Sequence, residues 1–347
     1  MRSKPPASLA ADEWSELALL RQIRRRASKV PGGGMRLGIG DDCALIRLRP
    51  GDQLAVTTDL SIAGRHFRLD WHPAESVGHR ALARGLSDLA AMGARPVAAF
   101  LSLGLPRELT AASNHGPSWI TRFYDGLLAL AEAHRTPLAG GDLAESPIAV
   151  ADIVLLGAVA RGMALLRSTA RPGDILYVTG SLGGAPAGLD CLAALAAPCN
   201  EPARPQTLKI PGSLAPQLAA HLYPQPRIAQ GLWLRRRGLA TAAIDLSDGL
   251  STDLAHICEE SAVAAEVDAA LLPIHPGATL AQALHGGEDY ELLFTAPESA
   301  RIPRSIAGVP IARIGRMVRP RRGRPQVALL TPQGKQPLAP QGWEHFS

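Results

Sequence analysis

Along the first half of the chain, short apolar runs alternate with stretches whose apolar positions recur at helical spacing. Residues 54–60 (LAVTTDL), 97–105 (VAAFLSLGL) and 148–160 (IAVADIVLLGAVA) predict strands. Between the first two, Val77, Ala81, Leu82, Gly85, Leu86, Leu89 and Met92 share one helical face, which predicts a helix over residues 75–92 closed by Gly93 and Pro96. Residues 119–134 predict a second helix. The scheme restarts at Gly173, where DILYVTG, a glycine-rich turn and a helix precede AAIDLSD, a helix through Cys258 and the strand-like ELLFTA. Two domains are therefore expected, residues 1–160 and 161–347. Prolines crowd residues 198–226, predicting a loop inserted in the second half, and RPRRGRPQ (319–326) predicts an exposed turn.

Composition narrows the picture. At 347 residues, with 46% hydrophobic and 19% charged positions, the chain has the material for two cores and is not a disordered tail. No apolar run approaches the roughly 18 uncharged residues of a bilayer-spanning helix, so a membrane partner is not expected. The opening segment carries arginines and acids through its apolar positions, so a cytoplasmic protein is expected. Cys43, Cys191, Cys199 and Cys258 are scattered without ligand spacing, which argues against a zinc site or a disulfide framework. The formal charge is +5, yet the basic groups at residues 24–26, 235–237 and 313–324 are not interleaved with aromatics, which make up only 4%. A nucleic-acid surface is therefore not expected.

Candidate chemistry lies in the carboxylates. Five clusters are expected where the chain changes direction: GIGDD (38–42), TTD (57–59), LSD (86–88), GGD (140–142) and LSDGLSTD (246–253). Any one alone reads as a turn or a helix cap. Asp88, however, falls on the apolar stripe of its predicted helix, where an uncompensated charge is costly. Several such groups in one place would repel one another, and a hard divalent cation with oxygen ligands, best Mg2+, relieves that. Ions held this way commonly carry substrate phosphates, which makes ATP the natural ligand. The sequence holds no GxxxxGK[ST] and no protein-kinase loop set, so phosphates would be gripped by metals, amides and arginine. The turn VTGSLGGAPAG (178–188) offers amides, and Arg167 a charge clamp.

Several strings, in this order and spacing, resemble the thiamine-monophosphate kinase family: GIGDDCALI, TTDLSIAGRHF, LSDLAAMGARP, LAGGD, RSTARPGD, IDLSDGLSTDLAHI, HGGEDYELLFT and the closing GWEHF. The resemblance runs from Gly38 to Phe346. It implies a two-domain fold like that of aminoimidazole ribonucleotide synthetase, with an N-terminal α/β domain pairing across a homodimer and a C-terminal α+β domain. It also implies Mg-dependent transfer of the γ-phosphoryl of ATP onto thiamine monophosphate.

By motif position, the resemblance makes Asp42, Thr57, Thr58, Asp59, Asp88, Asp142, Asp248 and Asp253 metal ligands. Tyr124, Gly141, Asp142 and Arg167 become ATP contacts, and His66, Glu288 and Trp343 substrate contacts. No general base is assigned, because the acceptor is already an anionic phosphate oxygen. The chain departs from the family pattern at Leu60, Gly85, Leu143 and Ala144. The alternatives are another ATP-dependent enzyme of the superfamily, such as aminoimidazole ribonucleotide synthetase, and a non-catalytic Mg-nucleotide-binding dimer.

Overall fold

A computed structural model describes residues 16–111, 116–196, 215–323 and 326–343. After α1 (Glu16–Ala27) and a two-stranded ribbon, β1 (Met35–Leu37) with β2 (Leu45–Ile46), the first domain is built from β3 (Asp52–Ile62), α2 (Ala74–Ala91), β4 (Arg95–Leu105), α3 (Trp119–Ala133), β5 (Leu138–Glu145) and β6 (Val150–Ala160). Its four-stranded sheet has the order β3-β6-β4-β5, antiparallel except for the β4–β5 pair.

The predicted helix over 75–92 is α2. It ends as its sequence dictates: Gly93 is left-handed (φ 62°), its N–H donates to Ala90 O, and the Ala94 N–H donates to Leu89 O. Val77, Ala81, Leu82, Leu86 and Leu89 are buried, joining Ile153 and Leu155 of β6 in one core. The α2–α3 crossing is closer than side chains permit. A Cβ on Gly78 would lie 1.9 Å from the Phe123 carbonyl oxygen, and one on Gly126 would lie 1.8 Å from that of Glu75. Gly85 serves similarly against the sheet, since a Cβ there would meet Leu155 Cδ1 at 2.6 Å.

The second domain comprises β7 (Ile175–Thr179), α4 (Gly184–Ala196), α5 (Ala215–Leu222), α6 (Ile228–Arg237), β8 (Ala242–Asp245), α7 (Leu250–Glu260), β9 (Ala264–Asp268), α8 (Leu280–His285), β10 (Leu292–Ala296), β11 (Ser305–Ile306), β12 (Val309–Val318), β13 (Val327–Thr331) and β14 (Gly334–Pro337). Seven strands run in the order β14-β13-β9-β12-β7-β10-β8, with β11 beside β12. Leu176, Val178, Ile244, Leu254, Ile257 and Leu293 centre its core. Both domains meet on α2. It packs on β8 and on α6, where a Cβ on Gly231 would lie 2.0 Å from the Ala90 carbonyl oxygen.

Three sequence expectations need correction. TTD, LSD and GGD do not sit at changes of direction: they lie inside β3, α2 and β5. Strand β5 escaped prediction because its two glycines and flanking polar residues dilute the apolar signal. The proline-rich stretch is not all loop, since its end forms α5; Cys199 and residues 197–214 lie outside the described residues.

Candidate active site

Helix α2 carries a polar stripe, Arg80, Arg84 and Asp88, at successive intervals of four residues, which stacks them on one face. That face meets β3. The Thr57 hydroxyl donates to Asp88 Oδ2, and Arg84 Nε lies 3.7 Å from Asp59 Oδ1. Strand alternation points Thr57 and Asp59 toward α2 and Thr58 to the opposite, exposed face. The Thr57 and Thr58 side chains therefore lie on opposite faces of the sheet.

From the second domain, β8 delivers Asp245, and the following turn delivers Ser247 and Asp248. Together with Asp59 and Asp88 these line a cavity of about 540 Å3, which His66, Glu288 and Trp343 close on the other side. Asp253 is buried (2% exposed) and turns back, accepting from the Asp248 and Gly249 N–H groups at 3.1 and 3.0 Å. Its first role is to hold the turn. Ligand atoms of Asp248, Asp253 and His256 nevertheless lie within 4.8 Å of one another.

The end of the cavity lined by His66, Glu288 and Trp343 is tied by hydrogen bonds. Glu288 and Tyr290 both take left-handed backbone angles (φ 66° and 51°), held by hydrogen bonds from their N–H groups to Ser247 O and Leu246 O. The Arg80 guanidinium reaches both Glu288 carboxylate oxygens at 2.7 Å and the His221 carbonyl at 2.7 Å. His66 accepts the Ile62 N–H at Nδ1, which leaves its ring proton on Nε2. Trp343 is half exposed, its segment tied to α7 by the Gly342 N–H donating to Thr252 Oγ1 at 3.0 Å.

Other residues singled out from the sequence lie elsewhere. Asp42 is exposed in the turn between β1 and β2, and Asp142 is exposed on β5, accepting its neighbour's N–H, from Leu143, at 2.9 Å. Gly141 (φ 147°) is required by the sheet, because a Cβ there would lie 1.8 Å from the Leu101 carbonyl oxygen. Tyr124, on α3, is buried and packed edge-on to Phe123. Arg167 is exposed, though its charge acts on both Asp88 and Asp245. The glycine-rich turn before α4 is not a free phosphate cradle, since Asp289 accepts from the Gly183 and Ala185 N–H groups. Of the departures, Leu143 packs on the first-domain core, while Leu60 lies on the open face of the sheet.

Electrostatics at the cavity match a cation site. Burial, with Asp88 adding repulsion against the opposing pull of Arg84, lifts the Asp59 carboxyl to about 7. Burial and Asp88 likewise lift Asp245 to about 7. Asp88 and Asp253 are raised mainly by burial. Asp59 Oδ2 is buried without a hydrogen-bond partner. An all-oxygen donor set containing an orphaned carboxylate oxygen fits a hard divalent ion such as Mg2+. Glu288 behaves oppositely: burial would raise it, but Arg80, Arg84 and His72 hold it below the usual carboxylate range.

A pH dependence follows. Carboxyls whose folded values exceed their unfolded ones stabilise the native state when protonated, and that contribution is lost as pH rises through the folded value. With Asp59 and Asp245 lifted from 3.8 to about 7, each makes the metal-free protein less stable as pH rises from about 4 to about 7, and the loss is complete just above 7. His72 and His221, both lowered mainly by burial, act in the opposite direction up to about pH 6.5, so the fall owed to the carboxyls is expected from about pH 6.5 to 7.5. Urea midpoints against pH, with chelator and with Mg2+, check this: flat or rising midpoints without metal would refute it.

Sequence reading missed Asp245, Arg80 and Arg84. Asp245 was signalled by a charge closing an apolar strand run, and the arginines by their spacing of four and eight residues before Asp88.

Two α/β domains closing on an acidic cavity define a class, and the comparisons agree with it. The family model for AIR synthase related protein, N-terminal domain, matches residues 40–164, and the one for its C-terminal domain matches residues 171–328. The chain is 40% identical over 321 residues to the thiamine-monophosphate kinase of Escherichia coli (strain K12), covering 89% of this chain and 91% of that one. The crystal structure of thiamine-monophosphate kinase from Stenotrophomonas maltophilia K279a superposes with a TM-score of 0.75 at 38% identity, covering 91% of this chain and 96% of that one. A structure described as AaThiL complexed with AMPPCP and TMP gives 0.71 at 29% identity, covering 98% and 100%. Within the AIR synthase related class, the chain belongs to the thiamine-monophosphate kinase family.

Proposed function

We propose that this protein transfers the γ-phosphoryl group of ATP onto the phosphate of thiamine monophosphate, giving thiamine diphosphate and ADP. The observation that carries the reading is the single cavity in which Asp59, Asp88, Asp245 and Asp248 face His66, Glu288 and Trp343. Family membership, and the relative solved with AMPPCP and TMP, support it.

The residues that would hold Mg2+ are Asp59, Asp88, Asp245 and Asp248, with Thr57 orienting Asp88. Bound there, the ions would screen the repulsion between two phosphate-bearing anions. Glu288, kept ionised by Arg80, attracts the cationic thiazolium, and the Trp343 ring offers a face for stacking. Thiamine monophosphate thus presents its phosphate toward the acidic end of the cavity. An acceptor oxygen bonds to the γ-phosphorus while the bond to the bridging oxygen breaks, and ADP leaves with that electron pair. The acceptor is a dianion, so no proton has to move and no general base is needed. Catalysis is positioning and electrostatics.

Residues 1–160 would supply most of the nucleotide and metal contacts and residues 161–347 the substrate end. A homodimer suits β3, an 11-residue edge strand whose Leu54, Val56 and Leu60 are 50%, 55% and 47% exposed. Unpaired Cys43, Cys191 and Cys258 suit a reducing, cytoplasmic setting. Among the described residues, no helix is long and apolar enough to cross a membrane. Incubation with Mg-ATP and thiamine monophosphate is expected to yield one thiamine diphosphate per ADP by chromatography. Nucleotide binding without that product would overturn the reading in favour of a binding module.

A further inference from the structure

Arg84 occupies an unusual position. It lies midway along the stripe of α2, between Arg80 and Asp88, and borders the cavity with a side chain only 18% exposed. Three other part-buried arginines are clasped by carboxylates. Arg80 clasps Glu288 at 2.7 Å, Arg122 clasps Glu75 at 2.7 Å, and Arg227 meets Glu291 at 2.6 Å. Arg84 has no such partner: its Nε stays 3.7 Å from Asp59, beyond hydrogen-bond distance. Its Nη1 makes only a 3.2 Å contact with Ser61 Oγ and a 3.4 Å contact with Leu60 O. Among the described residues, Nη2 has no partner. A largely buried guanidinium whose unbonded donors keep solvent contact at a cavity wall is placed to receive an anionic ligand there.

The surroundings say which ligand. The charge of Arg84 acts on Asp59 and Asp88 on one side and on Glu288 on the other, so it stands where the acidic end meets the substrate end. A planar guanidinium with two free N–H directions matches a phosphomonoester, which it grips through two oxygens. We infer that Arg84 is the protein's own anchor for the acceptor phosphate, fixing two of its oxygens and leaving the third turned toward the donor. This rests on the kinase reading above. Arg84 thereby distinguishes a phosphorylated acceptor from the free alcohol, because only the former offers anionic oxygens to the guanidinium.

Calorimetric titration of the full-length protein in Mg2+ tests the inference, using thiamine monophosphate, thiamine and a non-hydrolysable ATP analogue as separate probes. Arg84→Gln is expected to weaken thiamine monophosphate binding about 10- to 100-fold, with thiamine and nucleotide affinities kept within about twofold. Arg84→Lys, which keeps the charge and loses the fork, is expected to fall between the two and covers the case in which the glutamine variant misfolds. Parallel losses for thiamine monophosphate and thiamine, unchanged binding of both, or a loss confined to the nucleotide would each overturn the inference. If the wild-type protein binds no thiamine monophosphate, the kinase reading fails instead, and the inference falls with it.

Discussion

Asp88→Asn is expected to reduce turnover about a thousandfold while leaving the melting temperature of the metal-free protein unchanged or higher. The two halves of this expectation have one cause. Asp88 is buried beside Asp59 and Asp245, and its negative charge raises both of their carboxyls. An amide of the same shape keeps an oxygen for the Thr57 hydroxyl and removes the repulsion. The apo fold then loses no contact and sheds an unfavourable field. The same substitution deletes one anionic ligand from the cation site, so the gain in melting temperature on adding Mg2+ should shrink as well. Steady-state kinetics and paired melts with and without the ion measure both. A sharply lower apo melting temperature would reveal Asp88 as a structural residue, and retained turnover would remove it from the site.

Gly126→Ala is expected to cost about 3 kcal/mol of stability, through a single methyl group nowhere near the chemistry. The new Cβ would sit 1.8 Å from the Glu75 carbonyl oxygen, and its neighbour is backbone that has no rotamer to escape into. The two helices must separate. Helix α2 carries Arg80, Arg84 and Asp88 and is also the surface on which β8 and α6 dock, so the displacement should lower activity as well. Urea denaturation gives the midpoint shift; an unchanged midpoint would mean that the helix pair slides without penalty and that its tight crossing does not position the site.

Legibility of the site followed the reach of local patterns. His66, Glu288 and Trp343 were marked by family motifs, and the structure brings all three to one cavity with Asp59, Asp88 and Asp248. Asp42, Thr58 and Asp142 came from motifs of the same quality, yet their side chains stand apart from it. For Thr58 the reason is the strand itself: adjacent residues face opposite ways, and only the covering helix decides which face becomes the site. Asp253 was read as a ligand by its place in the motif LSDGLSTD. In the fold its carboxylate is engaged by the N–H groups of Asp248 and Gly249, a partnership no composition argument reveals. Asp289 did the same to the glycine-rich turn that had looked ready for phosphate.

By itself, the sequence determined the identity and approximate extent of α2, β3, β4 and β6, the restart of the pattern at Gly173, and the family. These depend on periodicity and short motifs, which are local along the chain. Tertiary structure alone decided that Asp245 joins Asp59 and Asp88, that Glu288 is fastened by an arginine 208 residues away, and that Arg84 is left with donors unspent. Such contacts arise when two domains dock on one helix. The charge and burial that give these side chains their chemistry exist only after distant segments have met.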